Sequence, residues 1–191
     1  MYRALLRDAR FYSFQLRVDR ERLAEARAEG CPLCGAALHS GHFRRKPRGG
    51  PAGLGDEHDV RFSLCCARDG CRTRRTPPSL RFLGRKVYLG AVVAVVSAMR
   101  HGATPERMRK LRDLLGVSRR TVERWRTWWR TTFAESPFWR IASAAFMPPV
   151  ETGTLPASLL ERFTGDDEDR LVALLRFLCP ITGGASVAQA L

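Results

Sequence analysis

LRDLLGVSRRTVERWRTWW, residues 111–129, is the stretch whose reading decides the fold. Leu111, Leu114 and Leu115 recur at helical spacing and face inward, Gly116 allows a sharp turn, Val117 plugs it, and the Ser118 hydroxyl suits the cap of a new helix. On that helix Val122, Trp125 and Trp129 fall at i, i+3 and i+7, which makes one buried stripe. The expectation is a helix-turn-helix. Arg119, Arg120, Thr121, Glu123, Arg124 and Arg126 are left outward on the first turns, where a recognition helix meets base edges and phosphates. One guanidinium bidentate to guanine contributes about 1–3 kcal/mol of discrimination, and the sequence does not single out which of the four arginines does so. The plainer reading is a helical hairpin with a solvated arginine face.

Working upstream, Thr104-Pro105-Glu106 places a cap, a first-turn proline and an acid in their preferred order, so a helix is expected over about 105–115. Val87 to Arg100 is apolar enough for a buried helix that Gly102 ends. These three helices define a domain over 84–136. Residues 1–30 read as one or two amphipathic helices stopped by Gly30. Downstream, 137–191 is a near-neutral helical segment, broken at Pro148-Pro149, with helices expected at 156–163 and 167–178; it completes the core or binds a partner. Trp128, off the stripe, is expected to dock against it.

Residues 31–83 carry the cysteines. CPLCG at 31–35 is a metal knuckle, because two residues between thiolates let both sulfurs reach one tetrahedral ion. A strand is expected over Ala36 to Phe43, a loop over 44–59, and a second strand where Val60, Phe62, Leu64 and Cys66 alternate with Arg61, Ser63 and Cys65. CRTRRTPPS, with its two prolines, reads as loop. The second pair of ligands comes from Cys65, Cys66 and Cys71; Cys66 shares the inward strand face with Phe62 and Leu64, while Cys65 stays open as an alternative. His39, His42 and His58 rank below the thiols. The expected ligand set is therefore Cys31, Cys34, Cys66 and Cys71, holding a structural Zn2+ in a closed site with no open position for water. The fold class is mainly α with a small β zinc ribbon.

Charge is concentrated in the middle of the chain. Residues 31–130 hold 22 Lys and Arg against seven Asp and Glu, whereas residues 131–191 hold four against seven. A basic segment between near-neutral ones suits a phosphate-binding surface, since each neutralised phosphate releases counterions. Arg44, Arg45, Lys46 and Arg48 before the second cysteine pair, and Arg72, Arg74 and Arg75 after it, are added as expected phosphate contacts. Nothing in the sequence has the length and apolarity of a membrane span, and the N-terminus lacks the pattern of a secretory signal, so a cytoplasmic protein is expected. Six cysteines then point to metal or buried thiols rather than disulfides.

CPLCG, RFSLCC, GCR and the helical GVSRRTVERW together resemble the zinc-ribbon plus helix-turn-helix portion of bacterial insertion-sequence transposases and their accessory proteins. The resemblance covers about residues 31–130 and implies recognition of element ends or of a regulatory site. The catalytic part of such transposases is a later RNase H-like domain with three separated carboxylates, and the residues after Arg130 are too few for it. Glu161 and the GDDED run at 165–169 read instead as a capped helix start. The expectation is a non-enzymatic, sequence-specific binder of double-stranded DNA that serves a mobile element, beside a separately encoded transposase or recombinase. The alternative is a subunit of a nucleoprotein assembly that binds RNA or single strands and meets a partner protein through its C-terminal helices.

Overall fold

The computed structural model describes residues 2–84, 86–99 and 104–184. Arg100 and Gly102, expected to close a helix, lie outside the described residues, as does the 185–191 end of the C-terminal segment. The architecture is mainly helical with a small antiparallel sheet.

A short helix α1 (Tyr2–Leu5) leads into α2 (Ala9–Glu29), whose first turn is capped by Asp8 accepting from the Arg10 amide at 2.9 Å. Phe11, Tyr12, Gln15, Leu16, Asp19 and Ala26 are buried, the i, i+4 recurrence of a helix with one covered face. The two ends of that face meet different neighbours. Phe11 and Tyr12 join the main core, whereas Ala26, with Leu23, packs on Cys31, Leu38, Leu64 and Cys66. Helix α2 is thus a strut between the helical core and the cysteine-bearing segment.

That segment forms β1 (Leu38–Ser40), β2 (Phe43–Arg44), β3 (Val60–Arg61), β4 (Leu64–Cys66) and β5 (Arg74–Arg75). The order β1-β4-β5 makes a three-stranded antiparallel sheet, with Leu38 opposite Cys66 and Leu64 opposite Arg75; β2 and β3 pair separately. Three expectations change here. The 36–43 and 60–66 strands are each interrupted, a one-turn 3-10 helix (Asp56–Asp59) sits in the 44–59 loop, and part of CRTRRTPPS is strand rather than loop. Arg74 and Arg75 pair with β4 because the prolines follow the strand instead of falling within it.

The apolar helix α3 (Gly90–Ala98) lies at the centre, with Ala91, Val92, Val93 and Ala94 wholly buried. Helix α4 (Pro105–Leu115) starts on a Thr104 cap and ends at Gly116, whose φ of 64° is left-handed, a region that carries no Cβ penalty for glycine. Val117 is fully buried in the turn, and Ser118 caps α5 (Arg119–Trp128) by accepting from the Thr121 amide at 3.3 Å. Val122, Trp125 and Trp129 form the buried stripe, and the helix runs on through a π-helical turn (Trp129–Phe133). Leu111 and Leu115 are partly buried against the core. The Tyr88 hydroxyl donates to the Gly116 carbonyl at 2.7 Å, and its ring meets Trp125 edge-on at 5.0 Å. Tyr88→Phe is expected to cost about 1 kcal/mol, the ordinary net worth of such a bond, read as a lower urea midpoint at unchanged slope.

Helices α6 (Pro137–Ala142), α7 (Ala157–Leu160) and α8 (Asp167–Leu178) close the core. Asp166 and Asp169 form a capping box at the start of α8, so the acidic run is a helix start. Trp128 packs against Trp129 and Phe133, within its own helix and the π-helical turn. Among the described residues no helix is long and apolar enough to cross a membrane.

Candidate metal centre and nucleic-acid interface

The knuckle Cys31–Gly35 is folded by its own backbone. The Gly35 amide donates to Cys31 O at 2.8 Å, and the Cys31 amide donates to Ala36 O at 2.9 Å, so both thiols leave the turn on one side. Across the sheet the Cys66 amide donates to Thr73 O, and Cys71 follows a turn closed by its amide on Arg68 O. The four sulfurs of Cys31, Cys34, Cys66 and Cys71 lie within 4.8 Å of one another. Cys31 and Cys71 approach to 3.7 Å, and Cys34 and Cys66 to 3.5 Å. Thiolates about 2.3 Å from a tetrahedral ion stand roughly 3.8 Å apart, so this spacing fits one metal ion.

The thiols sit in unequal surroundings. Hydrogen bonding from Thr73 lowers Cys71 to about 6, and the Leu33 amide lowers Cys31, whereas burial pushes Cys66 up to about 12. Coordination of a cation would deprotonate all four. Cys65 turns the other way, onto Arg72 O at 3.6 Å, as expected of a strand neighbour of Cys66. The histidines stay outside the cluster: the His42 ring faces Ser63, His58 is buried in the 3-10 turn, and His39 is exposed opposite Cys65.

The basic residues divide into two groups. Arg120 and Arg124 are exposed on α5 with no carboxylate partner among the described residues; Thr121 beside them is half-buried. Lys46, Arg48, Arg72 and Arg74 are also exposed. Arg119 pairs with Glu123 at 2.9 Å and Arg44 with Asp56 at 2.8 Å, solvent-exposed contacts that exchange readily. The remaining expected contacts are engaged inside the protein. Arg45 donates to Gly84 O at 2.6 Å and Lys86 O at 2.9 Å, Arg75 binds Ala26 O, Gly30 O and Glu29, and Arg126 binds Met99 O. In each case backbone carbonyls of the fold occupy the guanidinium.

Charge counting therefore overstates the surface. Arg61 and Arg81, also in the basic segment, are 2% and 0% exposed. Arg61 donates to Pro77 O and Thr182 O, and burial lowers it to about 10. One residue absent from the sequence expectation gains importance. Lys86 faces a groove that it shares with Arg48, Thr121, Arg124 and Trp128. Its place before an apolar helix marks it locally as no more than a flanking charge, and only the packing of Gly84 and of Lys86 to Leu89 against the 45–48 loop brings it beside α5.

Compared with known proteins, the chain matches no family model, no curated protein and no solved structure.

Proposed function

We propose that the protein binds double-stranded DNA without catalysing a reaction on it, through a zinc ribbon built on Cys31, Cys34, Cys66 and Cys71 and a helix-turn-helix built on α4 and α5. The observation that carries this reading is the convergence of unpaired cations. Arg124 from α5 and Arg48 from the cysteine-bearing segment line one groove, with Arg120 exposed one turn earlier on the same helix. Such a surface suits phosphates flanking a groove that receives α5. Zinc is the metal best matched to four thiolates, and a closed four-sulfur site holds structure rather than activating water. The resemblance of CPLCG, RFSLCC and GVSRRTVERW to insertion-sequence proteins supports an accessory or regulatory role in a mobile element, beside a separately encoded transposase or recombinase. Binding of single strands is less favoured, because Phe43 is the one aromatic residue among the large exposed apolar side chains of the described residues.

The test is selection from a random duplex pool with the whole 191-residue, zinc-loaded chain, followed by binding across a salt series. The expected result is one enriched duplex sequence and a linear fall of log affinity with log salt. Arg120→Ala is expected to cost about 1–3 kcal/mol and to relax the preference at one base pair. Equal binding of single strands, or strand cleavage by the pure chain with magnesium, would overturn the reading.

A further inference from the structure

We propose that Arg48, Lys86 and Arg124, with the Thr121 hydroxyl beside them, form a seat for one phosphate oxyanion. This deepens the duplex-binding reading and rests on it: the oxyanion is then a backbone phosphodiester, gripped jointly by α5 and by the loop of the cysteine-bearing segment.

The groove has a volume of about 730 Å³, enough for a phosphodiester and its flanking sugars, and none of its lining residues is a carboxylate. Three cations thus face one concave space without an internal counter-charge. Lys86 is the most constrained of them. Its ammonium lies 3.5 Å from the centre of the Trp128 ring, which attracts the charge but does not neutralise it. Burial, reinforced by the charge of Arg124, pushes this lysine down to about 8. A bound oxyanion would restore what burial removes.

The seat is also held in place from both sides. Arg45 clamps the carbonyls of Gly84 and Lys86, the Arg48 amide donates to Val87 O at 2.9 Å, and the Leu89 amide donates to Arg48 O at 3.0 Å. These bonds lace the 45–48 loop to the segment that carries Lys86. Arg45 is accordingly a positioning residue. Thr121, whose hydroxyl lies 3.0 Å from that of Ser118 in the first turn of α5, adds a neutral donor to the rim. Several donors around one space suit a tetrahedral oxyanion with several acceptor oxygens.

The experiment compares the zinc-loaded, 191-residue wild-type chain with Arg48→Gln and with the double variant R48Q/K86M. Arg48 is exposed, so the single variant leaves folding intact; methionine keeps the apolar contact with Trp128 in the double one. Duplex affinity is measured by fluorescence anisotropy from low to high salt. In the double variant the log–log salt slope should flatten by about 0.9, with affinity lower by roughly fivefold near physiological salt on every duplex alike, and Arg48→Gln should move part of the way. An unchanged slope in both overturns the seat. If the wild type binds no duplex, the parent reading fails and inorganic pyrophosphate decides the seat. Thermal stabilisation at fixed ionic strength that the double variant loses upholds it, and an equal response in wild type and variant overturns it.

Discussion

On the proposed zinc-ribbon reading, Cys66→Ser is expected to abolish metal binding and to unfold residues 31–75 while the α3–α5 core stays folded. Around the four thiols the segment has little apolar core of its own. Its private apolar cluster consists of Ala26, Cys31, Leu38, Leu64 and Cys66, and two of those five are themselves expected ligands. Its strands are two or three residues long. Isolated strands of that length are marginal in water, whereas a structural zinc supplies on the order of 10 kcal/mol of folding energy at neutral pH. Loss of one thiolate therefore removes more stabilisation than any single apolar contact in the segment could replace. The check is metal content by mass spectrometry together with limited proteolysis. Wild type should carry one zinc per chain and resist cutting within 44–59; Cys66→Ser, or wild type treated with a strong chelator, should carry none and be cut there first. Cys65→Ser provides the contrast, because that thiol points to Arg72 O on the opposite side, and it should leave metal content unchanged. Retention of one tightly held zinc by Cys66→Ser, or its loss from Cys65→Ser, would remove the metal-centre reading.

The features that could be read in the sequence are those decided within a few residues. Thr104, Gly116 and Ser118 cap and stop helices by bonds to their own neighbours, and the spacing of Val122, Trp125 and Trp129 fixes which side of α5 faces inward. The cysteine set was legible for a related reason: strand alternation sends Cys66 inward and Cys65 outward, and the knuckle turn aims Cys31 and Cys34 together. What the sequence could not show is which partner a charged side chain finds across the fold. Arg45 and Arg75 sit in runs that look like phosphate contacts, yet their guanidiniums meet carbonyls 39 to 49 residues away in the chain. Arg61 looks like the solvent-facing member of an alternating strand, but the strand is covered on both sides, leaving Arg61, Phe62, Ser63 and Leu64 all buried. Lys86 carries the converse lesson, since nothing local distinguishes it from a helix-flanking charge.

Asp19 is the residue whose removal should most weaken the protein as a whole, although in DRERLAEARAEG it looks like one more solvated charge on α2. It is 1% exposed and faces Arg81, which is fully buried. Its carboxylate accepts from Arg81 Nε at 2.8 Å, from Ser79 Oγ at 2.5 Å and from the Leu80 amide at 2.7 Å. The far end of the guanidinium donates to His58 O at 3.0 Å and Val60 O at 2.9 Å. One ion pair thus ties the middle of α2 to the chain on both sides of the β-sheet. Asp19→Ala would leave the Arg81 cation buried among carbonyls with no counter-charge, and burial already lowers its tendency to stay protonated. Breaking such a pair from one side costs about 3–5 kcal/mol. For a chain of this size that corresponds to a melting temperature lower by roughly 6–20 °C. Asp19→Asn should be nearly as damaging, because its amide group turns donors toward donors. The paired variant Asp19→Leu with Arg81→Met removes both charges, so it should recover the part of the loss due to an unpaired buried cation, though not the bonds to Ser79, Leu80, His58 and Val60. Urea denaturation of the three variants against wild type separates the possibilities. A loss under about 1 kcal/mol in Asp19→Ala, or a paired variant no more stable than the single one, would mean that the α2 strut is held by its apolar face and not by this ion pair.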